Sequence, residues 1–157
     1  MRKDQIIKEK ISLIEWVDSL KEISNDLWFM PFKEGAWGIA DVISHFISWD
    51  KFLITNRVAC IYLNEEFPAL TIDVEAVNKN ASQYARSGIS KEELITEFIT
   101  VRKELVSFLQ KVPEETFTEP YPGREHMTIG EYFAGMIEHD LKHREQIEEY
   151  IKKEFFS

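Results

Sequence analysis

The chain has 157 residues, 44% apolar and 30% charged, and its 19 basic against 28 acidic side chains leave a formal net charge of −9. That length fits one domain with its own core, so residues 1–157 read as a single domain. The acidic balance lacks the basic footprint that a nucleic-acid partner needs, the lone Cys60 excludes an internal disulfide and a cysteine-based zinc cluster, and 6 Gly with 5 Pro are too few for the turns of an all-β sandwich.

The first residues, MRKDQIIKEK, carry charge without the apolar stretch of an export signal. No run approaches the roughly 18 apolar residues of a membrane span. With a single thiol, this makes the cytoplasm the expected compartment and a membrane partner unexpected.

Helical periodicity dominates. Ile6, Leu13, Val17 and Leu20 share one face, with Ile14 beside them, and predict a helix over about 3–24. Residues 26–38 hold a proline and two glycines and read as a connection, rich enough in aromatics to pack over the end of a core. A second helix opens at Ile39, with Gly38 as N-cap and Asp41 in its first turn, and runs to about 63. Its wide stripe is Ile39, Val42, Ile43, Phe46, Trp49 and Leu53. Pro68 marks a break, residues 73–86 fit a short helix, and Gly88 ends it. Ser90 and Glu93 form a capping box that starts a third long helix. Leu94, Phe98, Val101, Leu105, Phe108 and Val112 then alternate spacings of four and three, the seam of a bundle helix. Pro113 stops it, a loop follows through Pro120, Pro122 and Gly123, and a second capping box, Thr128 with Glu131, opens a helix reaching nearly to the C-terminus. The expected fold is all-α: a four-helix bundle with a short extra helix between the second and third long helices, without strands.

His139 and His143 are four residues apart on the last helix, a spacing that puts both imidazoles on one face within reach of one metal ion. At 100° per residue, Tyr132, Phe133, Met136, Ile147 and Tyr150 cluster within about 60° of Ile129. His143 falls inside that stripe and His139 at its edge, and Gly135, one turn earlier, leaves room beside His139. The pair alone also fits two half-buried histidines. His45 sits at the edge of the second helix's apolar stripe, so three of the four histidines face one bundle interior. Three protein ligands with an open position describe a catalytic metal site. His126, in the loop before Thr128, reads as solvated.

Asp50 and Asp140 fall within the apolar stripes of their helices, and a buried carboxylate needs a partner. One reading is support of a ligand imidazole or a general base for metal-bound water. The other is an ordinary ion pair with Arg57, Arg102 or Arg144. Gln146, three residues past His143, faces the metal or the neighbouring helix. Trp37 and Trp49 flank His45 and are the tryptophans expected to wall a pocket, whereas Cys60 reads as a packed small residue.

The stretch Trp37-Gly-Ile-Ala-Asp-Val-Ile-Ser-His45-Phe-Ile-Ser-Trp49-Asp50, followed by Glu138-His139-Asp140-Leu-Lys-His143-Arg-Glu-Gln146-Ile147, resembles the DinB/YfiT-like superfamily of four-helix-bundle metalloenzymes. That family pattern has Trp-Ser before a histidine on the second helix and His-X-X-X-His-X-X-Gln-Ile on the last. Gly38 departs from it, standing where the family more often has a capping Ser or Thr. The resemblance implies a divalent metal, zinc or nickel, held by His45, His139 and His143. Asp50, Asp140 and Gln146 are then supporting or base candidates. It also implies a small-molecule substrate, a low-molecular-weight thiol as co-substrate, and a homodimer. Characterised relatives include bacillithiol- and mycothiol-dependent S-transferases and isomerases, and some hydrolases. Residues 73–108 also look like the middle segment of the ClbS/DfsB-like branch, linked to hydrolytic protection without a clear metal requirement. On that likeness Asn78, Asn80 and Tyr84 become pocket candidates, against their reading as a polar helix face. The function expected is therefore a metal-dependent thiol S-transferase or hydrolase acting on a small electrophile. The alternatives are a metal-independent protective hydrolase and a non-catalytic small-molecule-binding bundle.

Overall fold

The computed structural model describes residues 1–156. Helix α1 (Lys3–Ser19) ends in a short 3-10 turn, Leu20–Glu22, and α2 (Asn25–Phe29) follows within the segment expected to be a plain connection. Ser24 begins α2 by accepting from the Leu27 amide at 3.1 Å. That segment does pack down on the core, as its aromatics imply, with Leu27 and Trp28 buried.

Helix α3 (Ile39–Leu53) passes through one π-helical stretch, Ile54–Val58, into α4 (Ala59–Leu63), so the helical path runs over the predicted 39–63 with an inserted irregularity. Asn64 closes it in the left-handed conformation at φ 57°. Helices α5 (Val74–Ala85) and α6 (Lys91–Lys111) lie where periodicity places them. The Ser90 hydroxyl accepts from the Glu93 amide at 3.0 Å, and the Glu93 carboxylate accepts in return from the Ser90 amide. At the other end of α6, Lys3 donates to the carbonyls of Gln110 and Val112, satisfying acceptors that a helix terminus leaves free. Helix α7 (Ile129–Phe156) is capped by Thr128, which accepts from the Glu131 amide at 3.0 Å.

The four long helical paths, α1, α3 with its extension, α6 and α7, bury a common core of Leu13, Val17, Ile43, Phe46, Phe98, Leu105 and Phe133, and α5 packs on α3. One feature corrects the strand-free expectation. Between α6 and α7 the chain forms a 3-10 turn, Glu114–Thr118, and a small antiparallel pair, β1 (Pro120–Tyr121) with β2 (Arg124–Thr128). Pro122 and Gly123 supply its two-residue turn, Gly123 at φ 84°. Two residues of β1 were too short for alternation to mark, and Tyr121 is buried by its side chain, stacked at 4.4 Å on Tyr132 of α7. No helix is long and apolar enough to cross a membrane among the described residues.

Gly38 has a role beyond capping. Pro31 and Gly38 form an isolated bridge, and Phe32 donates to the Trp37 carbonyl at 2.7 Å. A Cβ on Gly38 would fall 2.3 Å from the Met30 carbonyl oxygen. The strap before α3 thus lies too close for any side chain. The Gly38 amide donates to Asp41 at 2.8 Å, and Asp41 also accepts from Ser82 at 2.6 Å and from Arg86. Burial pushes the Asp41 carboxyl up, but Arg86, Ser82 and the Gly38 amide together outweigh it and hold the group below the usual carboxylate value. A serine here would add a cap of about 1 kcal/mol yet force backbone apart. Gly38→Ala is therefore expected to lower unfolding stability by about 1–3 kcal/mol in urea titration, and Gly38→Ser to destabilise as well despite its hydroxyl.

Candidate metal centre

Residue His45 projects from the middle of α3 and His139 and His143 from successive turns of α7, and each offers a nitrogen within 4.8 Å of the others. The His45 ring centroid lies 5.9 Å from His139 and 5.0 Å from His143, and the two α7 rings are 4.9 Å apart. The helical spacing of four stacks the α7 pair, and packing of α3 against α7 supplies the third group. His45 is buried, His143 half-buried and His139 exposed, a gradient from the bundle interior to the opening beside Gly135. His139 is more open than its place at the stripe edge suggested, because Gly135 leaves open space one turn earlier.

The orientation of His45 is set by a residue on α5. Asn78 Oδ1 accepts from His45 Nδ1 at 3.0 Å and from Trp49 Nε1 at 3.0 Å. With its proton on Nδ1, the ring keeps the Nε2 lone pair for ligation. Asn78, the residue named on the likeness to the second branch, thus serves the histidine set directly. Asn80 and Tyr84 are exposed, and Tyr84 donates to Glu97 at 2.5 Å on the outer surface. Trp37 packs 5.3 Å from the His45 ring and Trp49 6.4 Å from it. His126 is exposed on β2, and Cys60 is buried away from the cluster, facing the Thr55 carbonyl.

Burial, and secondarily His143, pushes His45 down to about 4. Burial and the adjacent His139 lower His143 as well, with Gln146 pulling the other way. Both rings are therefore neutral at pH 7, the form that binds a metal. A tetrahedral ion held at about 2.1 Å by each of three nitrogens separates them by roughly 3.4 Å. The histidines stand within a small side-chain movement of that spacing. All-imidazole donors suit zinc, nickel, copper or iron rather than calcium or magnesium. The residues present fit a divalent transition ion.

Asp50 and Asp140 have the ion-pair partners that their buried positions require. Arg102 of α6 donates through Nε to Asp50 Oδ2 at 2.6 Å and through NH2 to Asp50 Oδ1 at 3.1 Å. Its NH1 donates to Asp140 Oδ2 at 3.3 Å, and Lys10 of α1 donates to the same oxygen at 3.0 Å. Burial pushes Asp140 up, but Lys10 and Arg102 overcome it and keep the carboxyl below its usual value. Of the three partners considered from sequence, Arg102 is the one observed. Among the described residues neither carboxylate accepts from a histidine of the cluster. Lys10 is absent from the sequence-based candidates, although the sequence carries its signal: positions 6, 10, 13 and 17 form one buried stripe of α1, with a lysine in it.

A cavity of about 370 Å³ adjoins the cluster, bounded by α1, α3, α5 and α7. His45, His139, Asp140 and Lys10 bring polar groups to its wall, and Phe46, Trp49 and Met136 make it largely apolar. This is the size and lining of a small-molecule site.

Two expectations follow. Arg102→Met leaves both buried carboxylates short of a partner and should cost about 3–5 kcal/mol of stability, measured by urea unfolding. In the metal-stripped chain, unfolded His45 protonates near its ordinary 6.5 but the folded group only near 4. Proton uptake thus favours unfolding across that window, and the urea midpoint should fall as pH drops from 6.5 to 4, with a shallower fall in His45→Gln.

A model of the DinB superfamily matches residues 13–147, a span that contains all three histidines, Asn78 and both aspartates. No curated protein and no solved structure matches the chain. With most of its length matched by that model, the chain belongs to the DinB superfamily, a metal-binding helical fold.

Proposed function

We propose that this protein is a divalent-metal-dependent enzyme, a thiol S-transferase or hydrolase that acts on a small electrophilic molecule. The observation that carries the reading is the convergence of His45, His139 and His143 beside a cavity large enough for such a substrate, with His45 and His139 on its wall. His45, His139 and His143 would hold the ion, zinc or nickel. Three protein ligands leave coordination free, which is the pattern of catalytic rather than structural sites. When bound, the ion supplies Lewis acidity, drawing a thiol or water toward its nucleophilic form at neutral pH.

The chain's own residues supply orientation and exclusion of water. Asn78 fixes the His45 tautomer, and Trp49, Phe46 and Met136 shield the cavity. Asp140, with Lys10 and Arg102 on one oxygen, is held ionised and is a weak proton acceptor, and Asp50 has both oxygens on Arg102. Their role in this reading is to hold α3 and α7 in place, with Gln146 beside His143 as a positioning contact. Transfer and hydrolysis share the step that makes the nucleophile and differ in whether a thiol or water provides it. The metal-independent alternative has less support, because Asn78, its pocket candidate, is engaged in holding a ligand histidine.

Metal analysis of purified chain tests this reading. Wild type should carry about one divalent ion per chain and consume thiol in the presence of an electrophile. The His139→Ala/His143→Ala double variant should lose at least 10-fold in metal affinity and lose activity with it. A wild-type chain that neither retains nor is stabilised by zinc or nickel would sink the proposal.

A further inference from the structure

Residue Lys10 lies in the apolar stripe of α1 between Ile6 and Leu13, and is 1% exposed. It lines the same cavity as His45 and His139. A lysine ammonium has three N–H donors. One goes to Asp140 Oδ2 at 3.0 Å. Among the described residues no second acceptor meets the other two: Asp50, the other carboxylate of the cluster, has both oxygens on Arg102. Buried donors without a partner are costly, so a cavity wall that presents them is suited to an occupant bearing oxygen.

The charge balance points the same way. Lys10 and Arg102 offset Asp50 and Asp140, and the three imidazoles, unlike carboxylates or thiolates, carry no negative charge whether protonated or not. The protein ligands therefore bring no negative charge against a divalent ion, and an anionic guest is electrostatically favoured beside it. The size of that anion is bounded too. One ammonium in a cavity of about 370 Å³ walled by Phe46, Trp49 and Met136, with no glycine-rich phosphate loop, matches a singly charged carboxylate better than a phosphate.

We infer that Lys10 is a second binding point in this cavity, one that takes a carboxylate of the substrate or thiol co-substrate beside the three histidines. The inference rests on the metal-dependent thiol reading above. It makes Lys10 a specificity-determining residue: molecules that carry a carboxylate close to the reacting sulfur bind in preference to neutral ones of the same shape.

The full chain loaded with cobalt(II) tests it by absorbance, since thiolate coordination gives a charge-transfer band independent of turnover. The probes are 3-mercaptopropionate and its neutral amide, 3-mercaptopropionamide. Wild type should bind the acid about tenfold more tightly than the amide. Lys10→Met should lose that preference, binding acid and amide equally, and Lys10→Arg should keep part of it. Because Lys10→Met leaves Asp140 with one partner fewer, Lys10→Met/Asp140→Asn removes both charges and should give the same loss in a chain that folds. Equal binding of acid and amide to wild type overturns the role of Lys10 and leaves the proposed function standing. A preference that survives in Lys10→Met and in the double variant also overturns it, assigning the effect to chelation. If neither thiol perturbs the cobalt spectrum, the thiol reading fails and the inference fails with it.

Discussion

Lys10, Asp140, Arg102 and Asp50 contribute one buried charge from each of α1, α7, α6 and α3, and they meet in a single chain of hydrogen bonds. Removing four charges from water is expensive, and well-packed apolar residues at these positions could match their stability. What apolar packing supplies less well is register, because Leu, Ile and Phe stripes tolerate many small rearrangements. Asp140 directly follows His139, and Asp50 is five residues after His45. A slide of α7 against α3 by one turn would separate Asp140 from Arg102 and Lys10, leaving charges buried without partners. The same constraint that holds the bundle in one arrangement thereby fixes the distance between the histidines of α3 and α7.

The short helix α5 supplies a second constraint, acting on α3 alone. Ser44 donates to the Ala81 carbonyl at 2.6 Å, Ser82 and Arg86 hold Asp41, and Asn78 accepts from His45 and Trp49. These contacts fall on successive turns of α5 and on Arg86 just past its end, so one face of a 12-residue helix locks α3 from Asp41 to Trp49. An isolated helix of that length is marginal in water. Its order therefore depends on the burial of Ala81 and Ala85 and on the polar bonds to α3, and the orientation of His45 depends on α5 in return. The strap at Gly38 completes the arrangement by carrying Trp37 onto the His45 ring.

Much of this was legible in the sequence. The capping boxes at Ser90 and Thr128, the stripes of α3 and α6 and the i, i+4 pair on α7 are local patterns, and local patterns survive folding when packing agrees with them. The three histidines could be grouped because each sits on or beside an apolar stripe, which is information about facing that one helix carries by itself. What was not legible depends on pairs far apart in sequence. Whether Asp50 meets Arg57, Arg102 or Arg144 is decided by which helices are neighbours, and periodicity does not give neighbours. Asn78 read as part of a polar face because nothing local distinguishes an asparagine that faces solvent from one that faces a histidine. Lys10 is hard to read for the opposite reason: its stripe is clear in Ile6, Leu13 and Val17, and a charged residue within it is the exception that needs a partner, which the sequence does not name. The β1–β2 pair escaped because strands of two and five residues, one mostly exposed, carry no usable alternation.

The net charge of −9 and the anion site proposed at Lys10 are compatible once distance is considered. Exposed acidic side chains are screened over about 8 Å at physiological ionic strength, so the surface average weakens quickly toward any one site. Inside the cavity the relevant charges are those that are buried and unscreened, and there the two aspartates are already matched by Lys10 and Arg102. Neutral imidazoles add nothing negative. The potential felt by a guest would consequently be set by the remaining donor capacity of Lys10 and by any ion that the three histidines hold, not by the sum over the chain. An acidic exterior therefore works against partners that read the whole surface, such as a phosphate backbone, whereas a small anion at the proposed Lys10 site would read the interior.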